Sequence, residues 1–172
     1  GTVGDLVVRG PGIMQGYYNK PEATQAAFFG DWFRTGDLFR QDENGYFYIV
    51  GWLKDMIRRS GENIAALEVE QVLCGLSGVV EAACVPVPDR DRGEEVKAYI
   101  VLRPGLTKDD VPPAQIFEHC RPLLAAFKIP RFIEYTDSLP KTGSGKIAKS
   151  QLAKAAPDLR ANSFDRVEDR WC

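Results

Sequence analysis

No run of apolar residues in this chain approaches the ~18 that would cross a bilayer, and the opening residues carry no signal-like segment. No membrane span is expected. An excess of one charge is also lacking. The formal net charge of −2 provides no field to hold nucleic acid or an acidic membrane surface. The four cysteines, Cys74, Cys84, Cys120 and Cys172, show neither a CxxC pair nor zinc-type spacing. That pattern predicts no metal site and reduced thiols in a cytoplasmic protein. Histidine occurs once. His119 shares an amphipathic stretch with Phe117 and Leu123, which favours a surface or half-buried role over general-base chemistry. The chain starts without Met, directly in the strand-like GDLVVRG, and reads as a fragment.

What is present fits a globular protein. Hydrophobic residues make up 44% and charged residues 27%, both ordinary values. A length of 172 residues suffices for one sizeable domain or two small ones. Two zones are visible. Residues 1–53 read as short strands and turns, with a small helix around KPEATQAAF and a hairpin signal in DENG between DLFRQ and YFYIV. From Lys54 the pattern changes. An amphipathic helix, AALEVEQVLCGL, places Leu67, Val72, Leu73 and Leu76 at helical spacing, with Gly75 and Gly78 able to end it. Strands VVEAACVPV and VKAYIVL follow, split by the charged turn PDRDRGEE. PPAQIFEHCRPLLAAF predicts a second helix with Pro112 and Pro113 at its start, and PRFIEYT a last strand. The order β-α-β-β-α-β predicts an α+β domain over residues 54–155, a short mixed sheet flanked by helices. Residues 156–172 show no clear period and read as a loosely packed tail. No repeat or low-complexity segment occurs.

Residues 139–149, LPKTGSGKIAK, hold a lysine behind two glycines, a serine and a threonine. A phosphate-binding loop of the G-x-x-x-x-G-K-[ST] type is excluded. Its first glycine would fall on Pro140, and Ile147 stands where a Ser or Thr would meet magnesium. Two readings of Lys146 stay open from the loop alone. It is either an exposed basic turn or a cation delivered into a site elsewhere by a backbone that Gly143 and Gly145 loosen and Pro140 restrains.

Three stretches in order, WFRTGDL at 32–38, GWLKDMIRRSGENIAALEVE at 51–70 and PKTGSGK at 140–146, resemble the C-terminal portion of the adenylate-forming superfamily. That superfamily includes acyl-CoA synthetases, adenylation domains of peptide synthetases and luciferases. The resemblance covers nearly the whole chain. Within it, DMIRRSGENI, EVE and FKIPRFIEY look like acyl-CoA synthetases close to fatty-acid and crotonobetaine/carnitine-CoA ligases. It implies that residues 1–53 are the last strands of a large N-terminal AMP-binding domain and that the following domain is mobile. It also implies a two-step reaction. A carboxylic acid attacks the α-phosphate of ATP, bound with Mg2+, to give acyl-adenylate and pyrophosphate; coenzyme A then displaces AMP.

The resemblance assigns Lys146 as the catalytic lysine of adenylation and Asp37 as the acceptor of the ribose hydroxyls. Lys54 takes the hinge position. Ser60, Gly61, Glu62 and Asn63 form the loop used in thioester formation; Gly61 alternatively shapes a turn before the helix. Arg58, Arg59 and Arg121 become candidates for the phosphates of coenzyme A, or solvated surface arginines, and Glu68 is given a structural role. The FYIVGW aromatics read as sheet packing. One position departs from the pattern: Trp52 stands where the superfamily usually has an arginine that helps hold the nucleotide. Expected partners are the acid, ATP, coenzyme A, the N-terminal domain and a protein acetyltransferase acting on Lys146. By itself the chain is expected to be inactive, the ATP phosphate loop and the acid pocket lying in the N-terminal domain. The rival reading is a non-catalytic binding module that kept the fold.

Overall fold

The protein is described here by a computed structural model covering residues 3–172. Its described residues divide into two units, one ending at Lys54 and the other Asp55–Cys172.

The first unit contains β1 (Val3–Val8), α1 (Pro21–Ala27), β2 (Phe28–Phe29), β3 (Trp32–Gln41) and β4 (Phe47–Trp52). β3 is the middle strand, antiparallel to β1, β2 and β4. The β3–β4 turn closes as expected. Asp42 Oδ1 accepts the amides of Asn44 and Tyr46, both at 2.9 Å, and Gly45 takes a φ of +86°. Leu38 is the only buried hydrophobic among this unit's described residues.

The second unit begins inside a short 3-10 turn, Leu53–Asp55. It continues through β5 (Met56–Arg59), β6 (Glu62–Ala65), α2 (Ala66–Cys74), β7 (Val79–Asp89), β8 (Gly93–Leu102), α3 (Pro113–Cys120), β9 (Phe132–Tyr135), α4 (Lys149–Leu152), β10 (Phe164–Asp165) and β11 (Arg170–Trp171). β8 is the hub. It pairs antiparallel with β7 along its whole length, parallel with β9, and through Gly93 with Arg59 of β5. The sheet is mixed and flanked by helices, as expected. α3 is shorter than expected and stops at Cys120, just ahead of Pro122, whose ring disfavours continued helix. Arg121 is therefore its C-cap residue.

Side chains alternate along β8. Val96, Ala98 and Ile100 join Ile57, Ile64, Val69, Leu73 and Ile116 in the main core beneath α2 and α3. Fully buried Val69 and Leu73 each contribute roughly 1.5–3 kcal/mol by leaving water. Glu95, Lys97 and Tyr99 take the opposite face, yet none is more than 4% exposed. The final third of the chain covers them. Tyr99 packs with Ala83, Val85, Leu139 and Leu152. Lys97 Nζ donates to the carbonyl of Leu159 at 2.6 Å and ion-pairs with Glu134.

Residues 156–172 are thus not a loose tail. β10 adds to the sheet edge beside β9, with Phe164 opposite Ile133, and β11 pairs with β10. The Arg131 guanidinium donates to Asp165 from Nε at 3.1 Å and from Nη2 at 3.0 Å. Aperiodic sequence concealed this, because the Arg131 ion pair and two isolated aromatics, Phe164 against Phe117 and Trp171 against Tyr135, anchor the segment.

Burial alone would raise the Asp165 carboxyl. The Arg131 guanidinium and the amides of Val167 and Glu168 outweigh it and hold the group below its ordinary 3.8. Its stabilisation is therefore complete above about pH 4 and is lost as pH falls through the depressed value. Asp165→Asn should cost on the order of 2–3 kcal/mol at neutral pH in urea unfolding, with the difference from wild type shrinking below pH 4. A difference that stays constant down to pH 2 would show that the ion pair is not what docks this segment.

Candidate active site

In the first unit, Thr35-Gly36-Asp37 interrupts the ladder. β1 pairs with β3 on either side of it, and its register shifts between Asp5 and Val7. Gly36 adopts φ +76°, Thr35 Oγ1 donates to the carbonyl of Leu6 at 2.9 Å, and the amide of Asp37 donates to Thr35 Oγ1 at 3.1 Å. Such a bulge re-aims the side chain that follows it. Half-buried Asp37 faces Trp52 across the β3–β4 ladder. The residue that departs from the superfamily pattern is therefore the cross-strand partner of the candidate ribose acceptor. Lys54, exposed, closes the unit within the 3-10 turn.

In the second unit the Ser60–Asn63 stretch is not a loose loop. Ser60 (φ +51°) and Gly61 (φ +84°) form a two-residue hairpin turn between β5 and β6, and Glu62 and Asn63 already belong to β6. Positive φ at both central positions is the geometry of a type I′ turn. The hairpin is stapled to the β7–β8 turn. The Ser60 amide donates to the carbonyl of Arg92 at 2.8 Å, and the Arg58 amide to Glu94 Oε2 at 2.7 Å.

The candidate phosphate arginines separate on inspection. Arg59 donates to both oxygens of buried Glu95, from Nε at 2.6 Å and Nη2 at 3.1 Å. Arg92 and Arg131 also approach that carboxylate. Arg59 is thus a structural cation here rather than a guanidinium open to solvent. Arg121 is exposed and, among the described residues, ion-pairs only with Glu118, at 2.8 Å. Glu68 holds Lys128 Nζ with both oxygens at 2.7 Å, and His119 Nε2 lies 2.9 Å from the carbonyl of Val72. Both residues tie α2 to its neighbours.

Lys146 stands on a small hairpin. The Thr142 amide donates to the carbonyl of Lys146 at 2.7 Å, Gly145 closes the turn to Thr142 at 2.9 Å, and Ala148 donates to Pro140 at 2.7 Å. Lys141 and Ile147 form a bridge. Only Gly145 needs its freedom, with φ +80°; Gly143 stays outside the positive-φ region. The stretch expected as a loop is accordingly a hydrogen-bonded hairpin. Its base is sunk in the unit through Leu139 and Ala148, while Lys146 itself is exposed.

Just past the hairpin lies a cluster the sequence did not reveal. Lys149 Nζ sits 2.7 Å from Glu70 and 3.1 Å from Asp55. Both contacts are ion pairs made by one half-buried ammonium. Burial would lower the Lys149 ammonium, but the Glu70 and Asp55 carboxylates outweigh it and hold it above an ordinary lysine. Glu70 also accepts the Cys84 amide at 2.7 Å. The available signal was the spacing of Glu68 and Glu70, which turns one of the two away from the face of the other.

Residues 68–146 match the family described as AMP-binding enzyme C-terminal domain. Feruloyl-CoA synthase of an Amycolatopsis species is 43% identical over 154 residues, which are 90% of this chain and 31% of that protein. Sulfoacetate–CoA ligase of Cupriavidus necator is 42% identical over 157 residues, 91% of this chain and 30% of that one. The crystal structure of ATP-bound MatB from Rhodopseudomonas palustris superposes with a TM-score of 0.81 at 36% identity, covering 90% of this chain and 30% of that one. Residues 68–146 of the second unit are thus similar to an AMP-binding enzyme C-terminal domain, and the chain is similar to part of CoA ligases. It spans about 30% of the length of the curated relatives it matches.

Arg59 and Arg121 should differ in unfolding experiments. Arg59→Met should cost about 1–2 kcal/mol by stripping Glu95 of its bidentate partner, whereas Arg121→Ala should stay within about 0.5 kcal/mol. Equal effects in urea denaturation would contradict this division of roles.

Proposed function

We propose that this chain is the C-terminal part of an AMP-forming acyl-CoA ligase, whose second unit turns about Lys54 between adenylation and thioester formation. The observation that carries the reading is Lys146. A long cationic side chain stands beside the tip of a hairpin whose base is anchored in the domain core. A cation held in that way can meet charge building on the α-phosphate as the acid's carboxylate attacks and pyrophosphate leaves. Asp37, a carboxylate placed by a backbone bulge, would accept both ribose hydroxyls of ATP, which enters with Mg2+. For the second step, the Ser60–Gly61 turn offers bare backbone to the pantetheine arm of coenzyme A, whose sulfur displaces AMP. Arg121 is the better phosphate candidate of the two, since Arg59 is engaged by Glu95.

The first unit supports its place at the edge of a larger domain. It buries Leu38 but leaves Phe29, Tyr46, Phe47, Tyr48 and Ile49 about half exposed or more, an apolar surface suited to cover. ATP's phosphate loop and the acid pocket would lie in that domain. Relatives named for ferulate and for sulfoacetate match almost equally, so acid choice, a fatty acid included, would also be made there. Exposure of Lys146 suits an acetyltransferase, which would remove its charge and stop the first step. Four free thiols suit the cytoplasm.

Trp52 favours a second reading, a binding module without catalysis, because it puts an indole instead of a guanidinium opposite Asp37. One experiment separates the two. In the full-length protein, Lys146→Ala should lower acid-dependent pyrophosphate release by about 10²–10³-fold across a panel of acids. Thioester formation from pre-made acyl-adenylate should persist. A wild type that releases no pyrophosphate with any acid would favour the binding module.

A further inference from the structure

We infer that Lys149 is a positioning residue for Lys146, the cross-link through which the hinge side of the domain and the hairpin move as one piece. The inference rests on the ligase reading above and adds to it a residue that touches neither substrate. One ammonium gathers three places in the chain. Asp55 is the first residue of the second unit, directly after Lys54. Glu70 sits on α2 and reaches on to β7 through the Cys84 amide. Lys149 itself opens α4, three residues beyond Lys146. All three side chains are at most 15% exposed, so the pairing is poorly screened by solvent.

The opposite arm of the hairpin is tied too, by Lys141 Nζ to Glu81 of β7. That pair is more than twice as exposed as the Lys149 pair and is the weaker of the two supports. Without Lys149, the Asp55 and Glu70 carboxylates would face one another with no cation between them. Repulsion would part the start of the domain from α2, and the α4 end of the hairpin would lose its fixed point. Lys146 acts from the returning arm of that hairpin, where a displacement of about 1 Å can cost on the order of 10²-fold in rate. The Ser60–Gly61 turn is held by Arg92 and Glu94 instead of this cluster, so the second half-reaction is spared.

The test uses the full-length ligase with Lys149→Met, Lys149→Arg and Asp55→Asn. Lys149→Met should lower kcat for pyrophosphate release by about 10- to 10²-fold. KM for ATP and thioester formation from pre-made acyl-adenylate should stay within about threefold. Lys149→Arg should recover most of the loss, since a guanidinium can still bridge two carboxylates. Should Lys149→Met fail to fold, Asp55→Asn keeps a Lys149–Glu70 pair and should show a smaller loss confined to the same half-reaction. Amide exchange should quicken at residues 141–148 while residues 96–100 stay protected. Equal losses in both half-reactions, or pyrophosphate release within twofold of wild type, would overturn the positioning role alone. An inactive wild type would instead overturn the ligase reading, and this role with it.

Discussion

Strand β8 has no unused side. One edge is taken by β7 and the other by β9 and the tip of β5; one face lies under α2 and α3 and the other under the chain's final third. Enclosing it buries two charges, Glu95 and Lys97, each 1% exposed. A buried charge is tolerated only when paired, so each of them dictates where other segments go. Glu95 draws in Arg59, Arg92 and Arg131, which fixes the β5–β6 hairpin beside the β7–β8 turn. Lys97 draws in Glu134 and the backbone near Leu159. The arrangement places the Ser60–Gly61 turn and the Lys146 hairpin, both candidate functional features, in one compact unit.

On the proposed ligase reading, order inside the second unit and freedom at its start would be complementary requirements. A domain serving two half-reactions in turn, as proposed above, would have to present different residues without deforming them. Ordered hairpins meet that need better than mobile loops: Ser60–Gly61 is a tight turn, and Lys146 rides on a bonded ladder. On the proposed reading, motion would fall at the boundary after Lys54, where the chain passes through a single 3-10 turn. Asp37 and Trp52 belong to the other side of that boundary. Their pairing across β3 and β4 places the nucleotide question on one spot of one sheet.

Local features were legible in the sequence because local chemistry determines them. The Asp42 turn, the α2 periodicity and the prolines that start α3 all act within a few residues, as do the three ordered stretches that carry the superfamily resemblance. Long-range charge pairing was not legible. The tail read as loose because Phe164, Asp165 and Trp171 show no period, yet Arg131, far earlier in the chain, docks it. Arg59 and Arg121 look alike as isolated arginines; only the fold shows that one meets a buried carboxylate and the other a solvated one. The Lys149 cluster joins positions 55, 70 and 149, and no window of sequence spans them. Gly143 and Gly145 suggested a flexible loop, whereas a single positive φ at Gly145 was what the turn required.

Rotation about Lys54 is most directly tested by distance. In the full-length protein, spin labels at Tyr18→Cys and Leu123→Cys would report on the two units from exposed positions, with the exposed thiols Cys74 and Cys172 replaced by serine. Measured once with ATP and acid and once with coenzyme A and AMP, the label separation should shift between two well-defined populations. One unchanged distance under both conditions would contradict a hinge at Lys54 and the division of the two half-reactions between Lys146 and the Ser60–Gly61 turn.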